Sequence, residues 1–300
     1  MSMRLRDLAE QGERPGASSS ALLARGVADV GRAAALLASD RALLRSALVP
    51  TALTFLGCAA LAALVARRHD GSWFRAAFTA FVAISSMPPT LLWPLWLRLG
   101  KEARRAVGAQ PGEEERPGER YLATLVRESA KALRQAAVVA VGLAPVFFVV
   151  ELVPGVGHGV TVALGVAWAW YWVVLDALEI PVELSPGRLG PGEPPWFERG
   201  LVALGARSRW LRFLGWAGRF AGWLARPWRH QAAFTERHRW ESAGFGAGAG
   251  AFLAVPVVGV FFRAVAITAA TAMVARREPP SGGPHAESPS GEVAVRADRA

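Results

Sequence analysis

Two apolar segments, each interrupted by proline and glycine, limit most strongly what this chain can fold into. The longer one, Ala136–Ile180, is apolar on both sides of a Pro/Gly-rich break at residues 154–159. Proline removes a backbone donor and clashes with the preceding helical turn, and glycine permits a sharp reversal. The pattern recurs between Ala243 and Ala275, where Pro256-Val257-Val258-Gly259 interrupts the run. We therefore predict two broken helical hairpins, related as an internal repeat.

Two further apolar blocks precede the hairpins. Ala47–Ala66 has no charged residue, and as a helix of about 30 Å it can cross the hydrocarbon core of a bilayer. Ala76–Leu97 is the second block. We expect it to be a span that is kinked by its prolines and leaves the membrane near its tryptophans. These residues are Pro88, Pro89, Pro94, Trp93 and Trp96.

Composition agrees with a membrane protein. Apolar residues make up 52% of the 300 residues, and they occur in continuous blocks. The chain contains twelve Trp and only two Tyr, and Trp favours the bilayer interface. The formal charge of +10 is compatible with nucleic-acid binding, with an anionic membrane surface or with the positive-inside bias of membrane loops. The apolar blocks favour the last, so the lipid bilayer is an expected partner and nucleic acid is not. The N-terminus lacks an apolar core, so no signal peptide is expected.

We divide the chain into three parts. Residues 1–20 are predicted to be a disordered N-terminus, residues 21–276 a single membrane domain, and residues 277–300 a disordered tail rich in Pro, Ser and Gly. Ala21–Leu37 is amphipathic and is predicted to lie in the membrane interface. Ser39 and Asp40 follow as suitable N-cap residues for the next helix.

Residues 184–231 form a Trp- and Arg-rich insertion within the membrane domain. A Pro/Gly-rich loop, 184–195, leads into Trp196–Arg229, which we predict to be one interfacial amphipathic helix. Its basic stripe comprises Arg212, Arg219 and Arg226. Its apolar side comprises Trp210, Phe213, Leu214, Ala217, Phe220 and Leu224.

The depth of the two hairpins follows from the length of their arms. The arms of the second, about 20 and 24 Å as helices, are shorter than the hydrocarbon core of about 30 Å. We therefore expect it to enter the membrane halfway, whereas the first hairpin is long enough either to span or to re-enter. A tip inside the bilayer needs partners for its backbone groups, so packing between hairpins or a homo-oligomer is expected. The predicted fold is an all-α integral membrane protein with two transmembrane helices, two broken hairpins and amphipathic interfacial helices.

Loop charges predict the orientation. Residues 98–135 contain nine Lys or Arg against six acids, and residues 181–242 contain ten against five. Both loops are therefore predicted to be cytoplasmic, as are the termini. The short loop after the first span would then face outward although it is bounded by Arg67, Arg68 and Arg75, which is contrary to the positive-inside rule.

The hairpin tips are the first candidate functional sites. A helix that begins at membrane depth has free backbone N–H groups and a positive dipole end, and broken helices of this kind bind anionic substrates in transporters. The candidates for anion binding are Gly155, Gly157, His158 and Gly259. The alternative is that these are structural turns and that His158 is incidental.

Arg263 is the other candidate, because it interrupts the apolar run after the second break. An intramembrane charge is costly and indicates either function or pairing. Pairing with Glu151, or a side chain that extends to the interface, is the alternative to anion binding. No metal-ligand spacing and no catalytic or phosphate-loop motif is present, so no enzyme activity and no cofactor are predicted.

The order of several short motifs resembles the CysZ-type sulfate permease family, which shares its domain with the etoposide-induced membrane proteins. The matching pieces are Arg45-Ser-Ala-Leu-Val-Pro50, Val153-Pro-Gly-Val-Gly157, Asp176 with Pro181, Gly244-Phe-Gly246, Val255-Pro256 and Ala269-Ala-Thr-Ala-Met273. The resemblance covers roughly residues 21–183 and 232–276, and the insertion lies outside it.

This resemblance implies two true spans, two half-penetrating hairpins, an oligomer and passage of sulfate. The family's sulfate site is associated with an arginine pair before the first span. Arg45 matches one member, Leu44 occupies the place of the other, and Arg41 would have to substitute for it. We therefore expect a multi-pass protein of the inner membrane that transports an inorganic anion, with sulfate as the leading candidate. The alternative is a non-transporting, membrane-organising protein of the same fold.

Overall fold

A computed structural model describes residues 18–67, 72–85, 92–109, 121–155, 157–185, 192–253 and 256–278. Regular secondary structure within these ranges is entirely helical, which confirms the predicted all-α class. The helices are α1 (Ser19–Ser39), α2 (Arg41–Ala66), α3 (Trp73–Ser85), α4 (Trp93–Ala106), α5 (Tyr121–Val141), α6 (Ala144–Glu151), α7 (Gly157–Glu183), α8 (Trp196–Arg207), α9 (Arg212–Leu224), α10 (Arg229–Arg237), α11 (Arg239–Leu253) and α12 (Pro256–Ala275).

Four helical stretches are long and apolar enough to cross a membrane, which is compatible with a membrane location. They are Arg41–Ala66, Leu122–Glu151, Gly157–Glu183 and Val258–Ala275.

The second predicted span is not one continuous helix. The block Ala76–Leu97 contributes to both α3 and α4, and Pro88 and Pro89 lie outside the described residues. Pro94 occupies the first turn of α4 and does not kink it. The missing N–H of a proline costs nothing there, because the first N–H groups of a helix have no internal partner.

Asp40 separates the first two helices and confirms the predicted N-cap. Its carboxylate accepts hydrogen bonds from the N–H groups of Ala42 (2.8 Å) and Leu43 (3.1 Å). Its own N–H donates to the Leu36 carbonyl at 2.9 Å and so ends α1. One residue therefore closes one helix and opens the next.

Helix α1 packs against α11, and its predicted position in the membrane interface stays a prediction. A Cβ at Gly26 would overlap the Glu241 carbonyl, and a Cβ at Gly244 would overlap the Leu23 carbonyl. The two backbones are therefore in direct contact, as small residues permit. Val30 and Ala33 of α1 are buried in one apolar cluster with Phe245 of α11.

The second hairpin consists of α11 and α12, and the first turns of α12 lie beside the second half of α2. Val260 is buried with Cys58 and Ala62, and the ring of Phe261 lies 5.4 Å from that of Phe55. Further along α12, Ile267 shares a cluster with Leu43, near the start of α2. The two helices thus run in opposite directions.

The first hairpin consists of α5, α6 and α7. Gly142 and Leu143 separate α5 from α6, and Gly155, with φ of 79°, reverses the chain before α7. The indole N–H of Trp168 donates to the Val139 carbonyl at 2.9 Å and ties the arms together. Between Gly157 and Trp168, α7 has no buried residue, so this end of the hairpin projects from the described core.

Both predicted domain boundaries shift slightly. Helix α1 begins at Ser19, because the Ser18 hydroxyl accepts from the Ala21 N–H. At the other end, Arg277 and Glu278 belong to the fold and not to a tail. Arg104 donates to Glu278 through both terminal nitrogens, each at 2.7 Å. The remaining residues of both predicted disordered segments lie outside the described residues.

The segment Trp196–Arg229 contains two α-helices and two short 3-10 turns, and not the single helix predicted. Helix α8 ends at Arg207, α9 packs back against it, and Arg226–Trp228 form a short 3-10 turn before α10. Trp228 is buried against Trp172 of α7, with ring centroids 5.5 Å apart. This contact anchors the insertion to the first hairpin.

Candidate functional site

Arg263 lies where the two hairpins meet. Its Nη2 donates to Oδ2 of Asp176 at 2.8 Å, and the two side chains are only 21% and 24% exposed. The pair joins α12 to α7. A carboxylate that compensates a half-buried guanidinium offsets much of the cost of its desolvation.

The predicted alternative, a pair between Arg263 and Glu151, is wrong. Glu151 lies before the first tip, whereas Asp176 lies about 28 Å along α7 from Gly157. Asp176 is one of the residues that carry the resemblance, but the sequence did not indicate Arg263 as its partner. Only the packing of α7 against α12 brings it to Arg263.

The indole ring of Trp96 lies on another side of Arg263. The Cζ atom of Arg263 lies 5.9 Å from the ring centroid of Trp96, in the range of a cation–π contact. Trp96 is buried, and its indole N–H has no hydrogen-bond partner among the described residues. Trp96 also packs with Leu43 and Ala47. The centre formed by Arg263, Asp176 and Trp96 therefore adjoins the first turns of α2.

Arg41 and Arg45 stand on those first turns. Both are exposed, whereas Leu43 and Ala47 on the same helix face the core. No ion pair of either arginine occurs within the described part of the chain. Both guanidinium groups are therefore accessible from outside the described core.

The first tip is arranged differently from the prediction. The Gly157 N–H, the first of α7, donates to the Val153 carbonyl at 3.0 Å. Oε1 of Glu151 lies 3.2 Å from Nδ1 of His158, and Oε2 accepts from the Thr161 hydroxyl at 2.8 Å. The carboxylate of the chain itself therefore occupies the start of α7, where the prediction placed a substrate.

The candidate residues do not form one site. His158 and Asp176 are separated by about 27 Å along α7, so the first tip and Arg263 are distinct places. At the second tip, Gly259 is buried in the first turn of α12, and residues 254 and 255 lie outside the described residues.

Sequence reasoning missed a second charged cluster, which lies where α1, α11 and α12 meet. Arg276 donates to Asp29 (3.1 Å) and Glu241 (2.7 Å), and Arg277 donates to Glu241 (2.5 Å). Burial raises the pKa of Glu241, but the hydrogen bonds from Arg277 and Arg276 outweigh burial and hold the pKa below its ordinary value. The pKa of Arg276 is raised, because the charge and hydrogen bonds of Asp29 and Glu241 outweigh its desolvation. The sequence signal that could have indicated this cluster is the pair of charged residues, Arg276 and Arg277, directly after the apolar residues of α12.

A third pairing was also missed. Glu179 is buried near the end of α7 and contacts the Lys131 ammonium. Nζ of Lys131 also lies 3.5 Å from Glu128 and 5.3 Å from the ring centroid of Trp93. These contacts fasten α5 to α7 and α4.

The buried charges described above are thus paired within the fold, Arg263 lies at the meeting point of the hairpins, and Arg41 and Arg45 are exposed at the start of α2. No protein-family model, no curated protein and no solved structure matches this chain.

Proposed function

We propose that the chain is a multi-pass inner-membrane protein that transports an inorganic anion, in the manner of a sulfate permease, and assembles as a homo-oligomer. The observation that carries this proposal is the guanidinium of Arg263, three-quarters buried where two apolar hairpins meet. A doubly charged oxyanion is poorly tolerated at low dielectric, so its passage requires a cation at such a place.

The proposed membrane layout has α2 as the first span and α3 with α4 as an interrupted second span. The second hairpin enters halfway. Its first arm, α11, is about 22 Å long and is therefore shorter than the hydrocarbon core of about 30 Å. Its second arm, α12, is about 30 Å long and does not share this limit. The basic loops 98–135 and 181–242 favour a cytoplasmic position for the termini.

Arg263 is the proposed internal anion site, and Asp176 is its resident counter-ion. An oxyanion that enters would replace Asp176 as acceptor of the Arg263 hydrogen bonds. Competition with a tethered carboxylate keeps the affinity for the anion modest, which suits a site that must release as well as bind. Arg41 and Arg45 at the start of α2 supply the entrance, since each guanidinium offers several donors to an oxyanion.

Uptake of radiolabelled sulfate by vesicles that contain the purified chain tests this function. We expect uptake above that of empty vesicles and its loss in Arg263→Gln. Asp176→Asn removes the competing charge, so we expect it to strengthen sulfate binding and to slow release. Uptake equal to that of empty vesicles, for sulfate and related oxyanions alike, would exclude the proposal.

The second candidate is a non-transporting, membrane-organising protein, favoured by the occupied first tip. There the Glu151 carboxylate bonds to His158 and Thr161, so this tip resembles a structural turn. The two candidates differ in Asp176→Asn. A purely structural pair predicts a less stable protein with no gain in sulfate binding.

A further inference from the structure

Helix α9 presents a row of exposed aromatic rings. The row, here called the aromatic ridge, consists of Phe213, Trp216, Phe220 and Trp223, which are 41–64% exposed. The centroids of Trp216 and Phe220 lie 5.6 Å apart, and those of Phe220 and Trp223 lie 6.0 Å apart, in stacked pairs. Their spacing of three, four and three residues places them on one helix face. So contiguous an apolar surface indicates a binding face.

Glycines on the opposite face of α9 fix this orientation. A Cβ at Gly218 would lie 2.7 Å from Cβ of Leu201, and one at Gly222 would overlap the Glu198 carboxylate. Gly215 likewise approaches Gly205 of α8. Because only a surface without side chains fits against α8, the aromatic ridge is held outward by packing.

A basic stripe runs beside the aromatic ridge. Arg212 and Arg219 lie seven residues apart on α9, which is nearly two helical turns. Arg226 follows in the 3-10 turn after α9, and all three are exposed. None has an ion pair within the described residues. Between Glu198 and Glu236 the sequence contains seven arginines and no acid. The ridge is therefore flanked by positive charge that nothing nearby in sequence neutralises.

The ridge lies next to a helix suited to a membrane. The guanidinium of Arg134 in α5 lies 5.4 Å from the ring centroid of Trp223, and Leu224 and Ala221 pack with Val138. Both Arg134 and Val138 belong to the candidate span Leu122–Glu151. Trp223 thus stands on the flank of this span.

We propose that α9 docks on the surface of a bilayer that contains anionic phospholipids. The aromatic ridge enters the boundary between headgroups and acyl chains, and Arg212, Arg219 and Arg226 bind headgroup phosphates. Charge selects this occupant over a second copy of the chain. Two copies facing each other through α9 would bring their unpaired arginines together, and like charges repel across an interface. The proposal does not depend on anion transport.

Spin labelling of the full chain tests the docking. With Cys58 replaced by Ser, a nitroxide is attached at Phe220→Cys in the ridge or at Glu193→Cys, an exposed acidic position that serves as the aqueous reference. The protein is placed in vesicles of phosphatidylglycerol and phosphatidylcholine. We expect the label at 220 to collide more with oxygen than with a water-soluble nickel chelate, and the label at 193 to do the opposite. Salt, or vesicles of phosphatidylcholine alone, should reduce the immersion of the label at 220.

Single charge changes provide the matched comparison. Arg219→Gln should lower the ratio of immersed to exposed label about fivefold in anionic vesicles, the effect of one arginine at such a surface. Arg239→Gln, an exposed arginine outside the stripe, should leave the ratio unchanged. Free access of the nickel chelate to position 220 would overturn the proposal, as would equal effects of the two variants. Shielding from both reagents together with broadening between labels would identify a second copy as the occupant.

Discussion

Arg263 donates to Asp176 at 2.8 Å, and this contact connects the second arms of the two hairpins. We expect a double-mutant cycle of Arg263→Gln and Asp176→Asn to give a coupling free energy of about 0.5 to 3 kcal/mol, as for contacting residues elsewhere. The measurement is the free energy of unfolding of the purified protein. Arg263→Gln with Glu151→Gln is the control cycle, and its effects should add. Strong coupling to Glu151 would contradict the pairing described above.

Arg45→Gln should weaken sulfate binding by about 1.5 to 3 kcal/mol, the usual contribution of a charged hydrogen bond. Arg45 is exposed and has no ion pair within the described residues, so the melting temperature should not change. Arg75→Gln, an exposed arginine at the start of α3, is the matched control. Unchanged binding and uptake in Arg45→Gln would favour the membrane-organising alternative.

Gly244→Ala should destabilise the protein by about 1 to 3 kcal/mol, the common cost of overpacking. The added methyl would overlap the Leu23 carbonyl where α1 and α11 touch. Gly31→Ala is the control, because no atom lies within 4 Å of its Cβ position. That substitution should stabilise α1 by about 0.5 to 1 kcal/mol through the higher helix propensity of alanine. Equal melting temperatures for the two variants would mean that α1 does not pack there.

Stability should fall in acid partly through Glu241. Its pKa is lowered in the folded protein, so its contribution is fully present above the ordinary value of 4.5 and is lost as the pH falls through the lowered pKa. Glu241→Gln should therefore destabilise the protein at neutral pH, by about 3 to 5 kcal/mol for a broken buried pair, and should flatten the acid limb of the stability profile. Melting temperatures between about pH 3 and 7 measure this. Glu193→Gln, at an exposed acid, should leave the profile unchanged.

Cysteine labelling tests the membrane layout. With Cys58 replaced, cysteines at Gly118, Gly190 and Ala286 should react only from the cytoplasmic face, and one at Gly71 only from outside. All four positions lie outside the described residues, in segments that the proposed layout places between membrane elements or beyond the last one. Reaction of positions 118 and 190 from opposite faces would show that the first hairpin crosses the membrane an odd number of times.

The sequence by itself determined the helical class, the first long apolar helix and the reversal at Gly155, because each depends on local chemistry. The predicted break at Pro256–Gly259 was wrong in its place, because these residues form the first turn of α12. The twenty uncharged residues Ala47–Ala66 fix the length of the apolar part of α2 from their number alone. Asp40 caps α2 through the N–H groups two and three residues further along the chain. Gly155 reverses the chain through its own positive φ. None of these features needs a distant partner.

Only the tertiary structure decided which charges meet. Asp176 and Arg263 are 87 residues apart, and Asp29 and Arg276 are 247 residues apart. A pairing at such separations depends on which helix faces pack, and the residue types alone permit many alternatives. The same holds for α1, whose amphipathic pattern suits a membrane surface and a helix partner equally well. The glycines Gly26 and Gly244 join α1 to α11, because glycine lets two helix backbones approach without side chains between them.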